Sequence, residues 1–168
     1  MLTEMRVETK PVIARKNDDV QLLTFKLDDQ EYALNIAHVV QVIRMVAVTR
    51  APKAPDYVEG MFNLRGKVVP VVDIRKRCGL PPKPCGLNTQ LVVARANGRT
   101  LALTVDAVSE VLTMPAANIE TPDDIGPEMQ HLRAVGKLGD RLVLILDPDT
   151  LLTEAEMRLA TTAQRMPE

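Results

Sequence analysis

The sequence predicts an all-β fold: two similar β-barrel subdomains of about five short strands each, packed on a shared apolar seam, with a C-terminal helix. Three observations predict it. Apolar and polar residues alternate over short runs through most of the chain, the period of a half-buried strand. Of 168 residues, 46% are hydrophobic but only 2% aromatic, so Val, Leu, Ile and Met must build the core, and the β-branched ones favour strands. The chain also repeats itself. Residues 25–34 (FKLDDQEYAL) align without gaps on 94–103 (ARANGRTLAL), and Ile36, Val39, Val42 and Met45 then fall on Val105, Val108, Val111 and Met114. After a slightly longer loop, 64–73 matches 138–147, pairing VVPVVD with its counterpart ending in Asp147. Units this small close most readily as little barrels, which leave few exposed edges.

The elements follow in order. Residues 1–19 read as a flexible tail, polar and without periodicity. Residues 21–27 alternate with Leu23, Phe25 and Leu27 on one face, Asp28-Asp29-Gln30 turns, and 31–36 resume with Tyr32, Leu34 and Ile36, which is a hairpin signal. Residues 39–48 are rich in strand formers until Ala51-Pro52-Lys53-Ala54-Pro55 breaks the run, and Asp56-Tyr57-Val58 is expected to make a short helical turn. Asn63-Leu64-Arg65-Gly66 is a polar turn feeding a strand over 67–74, in which Pro70 argues for an edge or a bulge. Residues 75–79 can make one helical turn, stopped by Gly79 and the prolines beyond, and 79–86 is an interior loop. Residues 89–96, 100–105 and 108–114 are strands, with Asn97-Gly98 the clearest hairpin turn. Residues 115–127 are loop-rich and acidic, 134–138 and 141–146 form a hairpin turning at Gly139-Asp140, and 150–164 carries a helical pattern through Leu151, Leu152, Ala155 and Leu159. The expected organisation is a tail over 1–19, one domain of two interleaved barrels over 20–152, and a helix and tail over 153–168.

Composition excludes several classes of function. A net charge of −1 draws the chain neither to nucleic acid nor to an anionic membrane, and scarce aromatics remove the stacking platforms of single-strand binders. No apolar run approaches a membrane span, and the first residues do not resemble a signal peptide, so Cys78 and Cys85 are expected as reduced thiols of a cytoplasmic protein. Those cysteines with His38 and His131 lack metal-ligand spacing, and no phosphate-binding glycine loop occurs; neither a catalytic set nor a cofactor site is expected. Asp73 and Asp147 stand at matching strand ends and Asp106 after a third strand, where carboxylates satisfy turn N–H groups.

Arg65 is different. Arginine keeps its charge and offers a rigid fork of donors suited to a partner's carboxylate or amide. Its counterpart in the second unit is Gly139, so the turn itself does not require arginine, and a feature present in one unit only points to recognition.

The chain resembles the CheW-like family of bacterial chemotaxis coupling proteins over about residues 20–152. The most specific match is Gly60-Met61-Phe62-Asn63-Leu64-Arg65-Gly66 followed by Val68-Val69-Pro70-Val71-Val72-Asp73. Supporting matches are Glu31-Tyr32-Ala33-Leu34, the strand at Val39, residues 105–111 and the 139–147 hairpin. The resemblance implies two five-stranded SH3-like barrels and a non-enzymatic adaptor recruited to membrane-associated receptor arrays. Its partners would be the cytoplasmic tip of methyl-accepting chemoreceptors and the CheW-like regulatory domain of a CheA-type histidine kinase. Receptor docking would fall on Val39, Gln41, Gly60, Asn63, Arg65, Gly66, Thr89 and Leu91, with Val39 and Leu91 receiving a helix's apolar stripe; kinase-binding residues are not assigned. Gln41 stands where the family commonly carries an acid able to pair with the turn arginine, and Asn35 where an aspartate is common, whereas Glu110, the repeat counterpart of Gln41, keeps the acid. Gln41 can hydrogen-bond to Arg65 but not neutralise it, which leaves the charge for an acidic partner. A regulator of a parallel pathway, binding kinase but not receptors, is the alternative.

Overall fold

The computed structural model describes residues 18–50, 52–86, 88–122 and 131–153, together with 156 and 158. Its strands are β1 (Asp19–Leu27), β2 (Gln30–Asn35), β3 (Val39–Arg44), β4 (Val58–Leu64), β5 (Lys67–Asp73), β6 (Gln90–Ala96), β7 (Arg99–Val105), β8 (Ala107–Pro115), β9 (Ile119–Glu120), β10 (Leu132–Leu138) and β11 (Arg141–Leu146). They form two sheets, a six-stranded one in the order β8-β1-β2-β11-β10-β9 and a five-stranded one in the order β3-β6-β7-β5-β4. The two sequence repeats are therefore not the two structural units. The β1–β2 hairpin leaves its own repeat for the sheet of the second, and β6–β7 crosses the other way. Each exchange is made by a parallel pairing, β2 with β11 and β5 with β7. The two-residue strand β9 makes the sixth strand of the first sheet, where five were expected.

Strand alternation sends each strand's two faces into different cores. In β6, Val92 and Ala94 enter the seam between the sheets, while Leu91 and Val93 fill the interior of the five-stranded barrel. In β2, Tyr32 and Leu34 face the seam and Ala33 the interior of the six-stranded barrel. Phe25 and Tyr32, directly opposite in the β1–β2 register, stack across the seam face with centroids 6.3 Å apart. Leu151 and Leu152 complete the seam from beyond β11.

Several expectations change. Pro70 is not on an edge strand, since β5 lies between β4 and β7. Its missing N–H causes no loss, because Pro70 lies one residue before the β7 pairing begins at Val71. The bulge sits instead on β4, between Val58 and Gly60. Asp56-Tyr57-Val58 is not helical: Val58 N–H closes a turn onto Pro55 O, and Val58 opens β4. The strand from Val39 ends at Arg44 rather than 48, although Met45 N–H still donates to Thr89 O. A helical turn α1 (Ile74–Arg77) begins one residue earlier than expected, because Asp73 caps it by accepting from the N–H groups of Arg75 and Lys76. Within 115–122 a 3-10 turn (Ala116–Asn118) and β9 replace part of the expected loop, and 123–130 lie outside the described residues. Of the C-terminal helix only Glu156 and Arg158 are described, both helical. Thr153 and Glu156 form a reciprocal capping box at 3.1 and 2.8 Å, and Pro148–Thr150 is a 3-10 turn, so the expected helical pattern does not run unbroken from Thr150. The expected tail falls almost wholly outside the described residues.

The barrels are also pinned by charge. Arg75 on α1 donates to both oxygens of Asp28 in the β1–β2 turn, to Asp106 Oδ2 and to Pro81 O, all at 2.9 to 3.0 Å. Asp106 Oδ2 also accepts from Asp28 N–H, so one nearly buried guanidinium ties the five-stranded barrel to a hairpin of the other.

Candidate functional site

Four hairpins turn on a residue in the left-handed region: Asp28 at φ 56°, Arg65 at φ 52°, Asn97 at φ 53° and Gly139 at φ 57°. Aspartate, asparagine and glycine tolerate that conformation. Arg65 is the exception, a long side chain held where local sterics favour another residue. Its turn is otherwise well made, with Gly66 at φ 87° and Gly66 N–H donating to Asn63 Oδ1 at 2.8 Å. Arg65, Gly66 and Asn63 are all exposed.

Beside this turn runs an apolar trough of about 380 Å³, lined by Ile43, Val46, Ala47, Met61, Phe62 and Leu64, with Thr49 and Asn63 at its edge. Val46 is 37% exposed, unusual for a large aliphatic side chain here. The trough exists because the chain after β3 folds back on β4. Thr49 and Met61 exchange both backbone hydrogen bonds at 2.8 Å, which closes the barrel at this corner. Gly60 makes the closure possible: at φ 153°, a Cβ built on it would lie 2.4 Å from Thr49 O.

The residues expected at a docking groove thus divide. Asn63, Arg65 and Gly66 stand together on one exposed hairpin. Val39 and Leu91 do not form a surface stripe, because Val39 is fully buried in the seam and Leu91 in the barrel interior, opposite Ile43 in the β3–β6 register. Gln41 is 3% exposed and opposite Val93. Gly60 is a buried backbone contact. Thr89 is half-buried, its hydroxyl accepting from Gly86 N–H at 2.9 Å. Sequence reasoning missed Ile43, Val46, Ala47, Phe62 and Leu64; the signal was Val46-Ala47-Val48, apolar residues continuing past the end of a strand.

The candidate carboxylates cap turns. Asp73 holds α1, Asp147 Oδ1 accepts from Asp149 N–H at 3.0 Å, and Asp106 serves the Arg75 cluster. Cys78 and Cys85 are free thiols, and burial pushes the Cys78 thiol up to about 11. Among the described residues no helix is long and apolar enough to cross a membrane.

The CheW-like domain family model matches residues 21–156. A chemotaxis protein CheW of Rhizobium meliloti is 32% identical over 146 residues, covering 86% of this chain and 94% of its own. The CheW of Helicobacter pylori is 31% identical over 138 residues, covering 81% and 84%. A solved structure, the scaffolding protein TtCheW from Thermoanaerobacter tengcongensis, superposes with a TM-score of 0.77 at 28% identity, covering 83% of this chain and 96% of that one. With a barrel pair of this topology and this extent of match, the chain belongs to the CheW-like domain family of chemotaxis coupling proteins.

Proposed function

We propose that the chain is a non-enzymatic coupling adaptor that holds the cytoplasmic tips of chemoreceptors to a CheA-type histidine kinase, through the kinase's CheW-like regulatory domain. The relatives' names favour this over a regulator that binds kinase alone. The observation that carries it is the pairing of a strained, exposed Arg65 with the apolar trough of Ile43, Val46, Phe62 and Leu64. A receptor tip is helical, and a helix lays its apolar stripe in such a trough while a rim cation fixes its orientation. Val39, Gln41, Gly60 and Leu91 act beneath that surface, holding β3, β4 and β6 in place, while Thr89 is not among the residues that line it.

Co-sedimentation with receptor-bearing membranes tests this reading. Arg65→Glu keeps the fold and abolishes receptor co-sedimentation while kinase binding persists. Receptor binding retained by Arg65→Glu and by Phe62→Asp would sink the assignment.

A further inference from the structure

Past α1 the chain runs Leu80-Pro81-Pro82-Lys83-Pro84-Cys85-Gly86, with three prolines in four positions. Stopping the helical turn does not require them, because it already ends at Gly79, at φ 76° with its N–H on Lys76 O. Each proline ring holds φ at about −65°, and the residue before each proline is pushed to extended backbone. Leu80 to Pro84 is thus biased by its own sequence towards a polyproline II strap, and the structure places neither helix nor strand over 80–86.

The strap is pinned at both ends and bare between them. Leu80 packs on the seam and its N–H donates to Arg75 O at 2.7 Å, while Arg75 Nε donates to Pro81 O at 2.9 Å. At the far end Gly86 N–H donates to Thr89 Oγ1 at 2.9 Å. Every residue from Pro81 to Gly86 is exposed. A recess of about 200 Å³ is lined by 83–86 together with Asp73, Thr104 and Asp106, so the strap stands clear of the strands there. The Lys83 side chain is 57% exposed, with its ammonium 3.8 Å from Asp106 Oδ2, an oxygen that Arg75 already holds at 2.9 Å.

We propose that 80–86 is a docking strap for a protein partner whose aromatic-lined groove takes polyproline II segments, with an acidic group at the groove's rim to meet Lys83. Pro81, Pro82 and Pro84 have no N–H, so the strap cannot extend a partner's sheet, and recognition falls to ring faces and carbonyls. At three residues per turn, Pro81 and Pro84 share one edge of the strap. Proline side chains have no rotamer freedom to lose and the pins have already ordered the backbone, so docking costs little entropy. A second copy of the chain is not the occupant, because its two Phe and two Tyr build no aromatic groove. Phe25 and Tyr32 are buried in the seam, Tyr57 lies 4.1 Å beneath the Arg77 guanidinium, and Phe62 stands alone in the trough. The strap shares no residue with that trough, so it stands apart from the receptor reading.

The isotope-labelled full chain is titrated with an SH3 domain and, separately, with a WW domain while its backbone amide resonances are followed. The expected result, from at least one of the two, is shifts at Leu80, Lys83, Cys85 and Gly86, with the 63–66 hairpin unmoved. Pro81→Ala/Pro84→Ala is expected to weaken that binding by about tenfold or more. Lys83→Gln is expected to weaken it by about threefold and to flatten its salt dependence. Should the double proline variant lose the fold, Lys83→Glu, on an exposed side chain, takes its place with the same expected loss. Absence of strap shifts with both domains, or unchanged binding in the variants, would overturn the proposal. So would shifts centred on the trough instead of the strap.

Discussion

Replacing Arg65 by Asn separates what the turn needs from what a partner needs. Arg65 sits at φ 52°, where asparagine is enriched several-fold over most residues, and that preference corresponds to about 1 kcal/mol. Interactions made by so exposed an arginine return about 0 to 1 kcal/mol. Arg65→Asn is therefore expected to be neutral to stabilising by about 1 kcal/mol, raising Tm by roughly 0 to 4 °C in a chain of this size. Arg65→Lys keeps the strain and the charge but loses the planar fork, so its Tm is unchanged and its receptor binding intermediate. Thermal denaturation is read beside receptor co-sedimentation, where Arg65→Asn is expected to lose about tenfold or more in affinity. A clear fall in Tm for Arg65→Asn would show that the fold requires the arginine. Undiminished receptor binding would show that no partner uses it. Either result refutes the reasoning from strain to function.

Other consequences are equally direct. Gly60→Ala drives a Cβ onto Thr49 O and is expected to cost about 2 kcal/mol or more, visible as a lower denaturant midpoint; Gly66→Ala meets nothing within 4 Å and costs only its left-handed conformation, about 1 kcal/mol. Phe25→Ala removes the largest fully buried side chain of the seam and is expected to cost about 3 to 5 kcal/mol. Because the seam belongs to both barrels, calorimetry of Phe25→Ala should still show one transition, and two separated transitions would contradict a shared core. Arg75→Met leaves Asp106 without its main cation and is expected to cost about 2 kcal/mol, discounted because Asp28 is half-exposed. Acid weakens the fold through two groups. Burial, with nearby Arg77, holds the His131 pKa below its ordinary 6.5 against the opposing pull of Asp147 and Thr150, so its contribution is complete above that value and falls away as pH drops below it. The Arg141 hydrogen bond holds Glu31 below its ordinary 4.5, so that pair's contribution is present above 4.5 and lost as pH falls through the depressed value. Denaturant midpoints measured across pH should show His131→Asn flattening the first slope and Arg141→Gln the second; unchanged slopes would contradict the assignments.

The strands and their turns were legible because they are local. Asp28-Asp29, Asn97-Gly98 and Gly139-Asp140 name their own conformations, and alternation marks which side chains point inward. What alternation cannot tell is which core an inward residue enters. Val39 and Leu91 were expected to meet a partner, yet both are buried, because a strand in a two-barrel fold has a core on each face. The exchange of hairpins between sheets was hidden for the same reason: it rests on the β2–β11 and β5–β7 pairings, joining segments far apart in sequence. Arg65 was legible as an oddity through its Gly139 counterpart, but its strain is a dihedral, which only the structure supplies. The pairing of Arg141 with Glu31 spans 110 residues, so no local pattern in the sequence announced it.

The most direct test of the account is a three-component sedimentation of receptor-bearing membranes, the cognate histidine kinase and this chain. Kinase is expected to pellet with the membranes only when the chain is present, and Arg65→Glu to release chain and kinase together into the supernatant. Kinase that pellets equally well without the chain, or a chain that binds kinase yet never reaches the membranes, would contradict it.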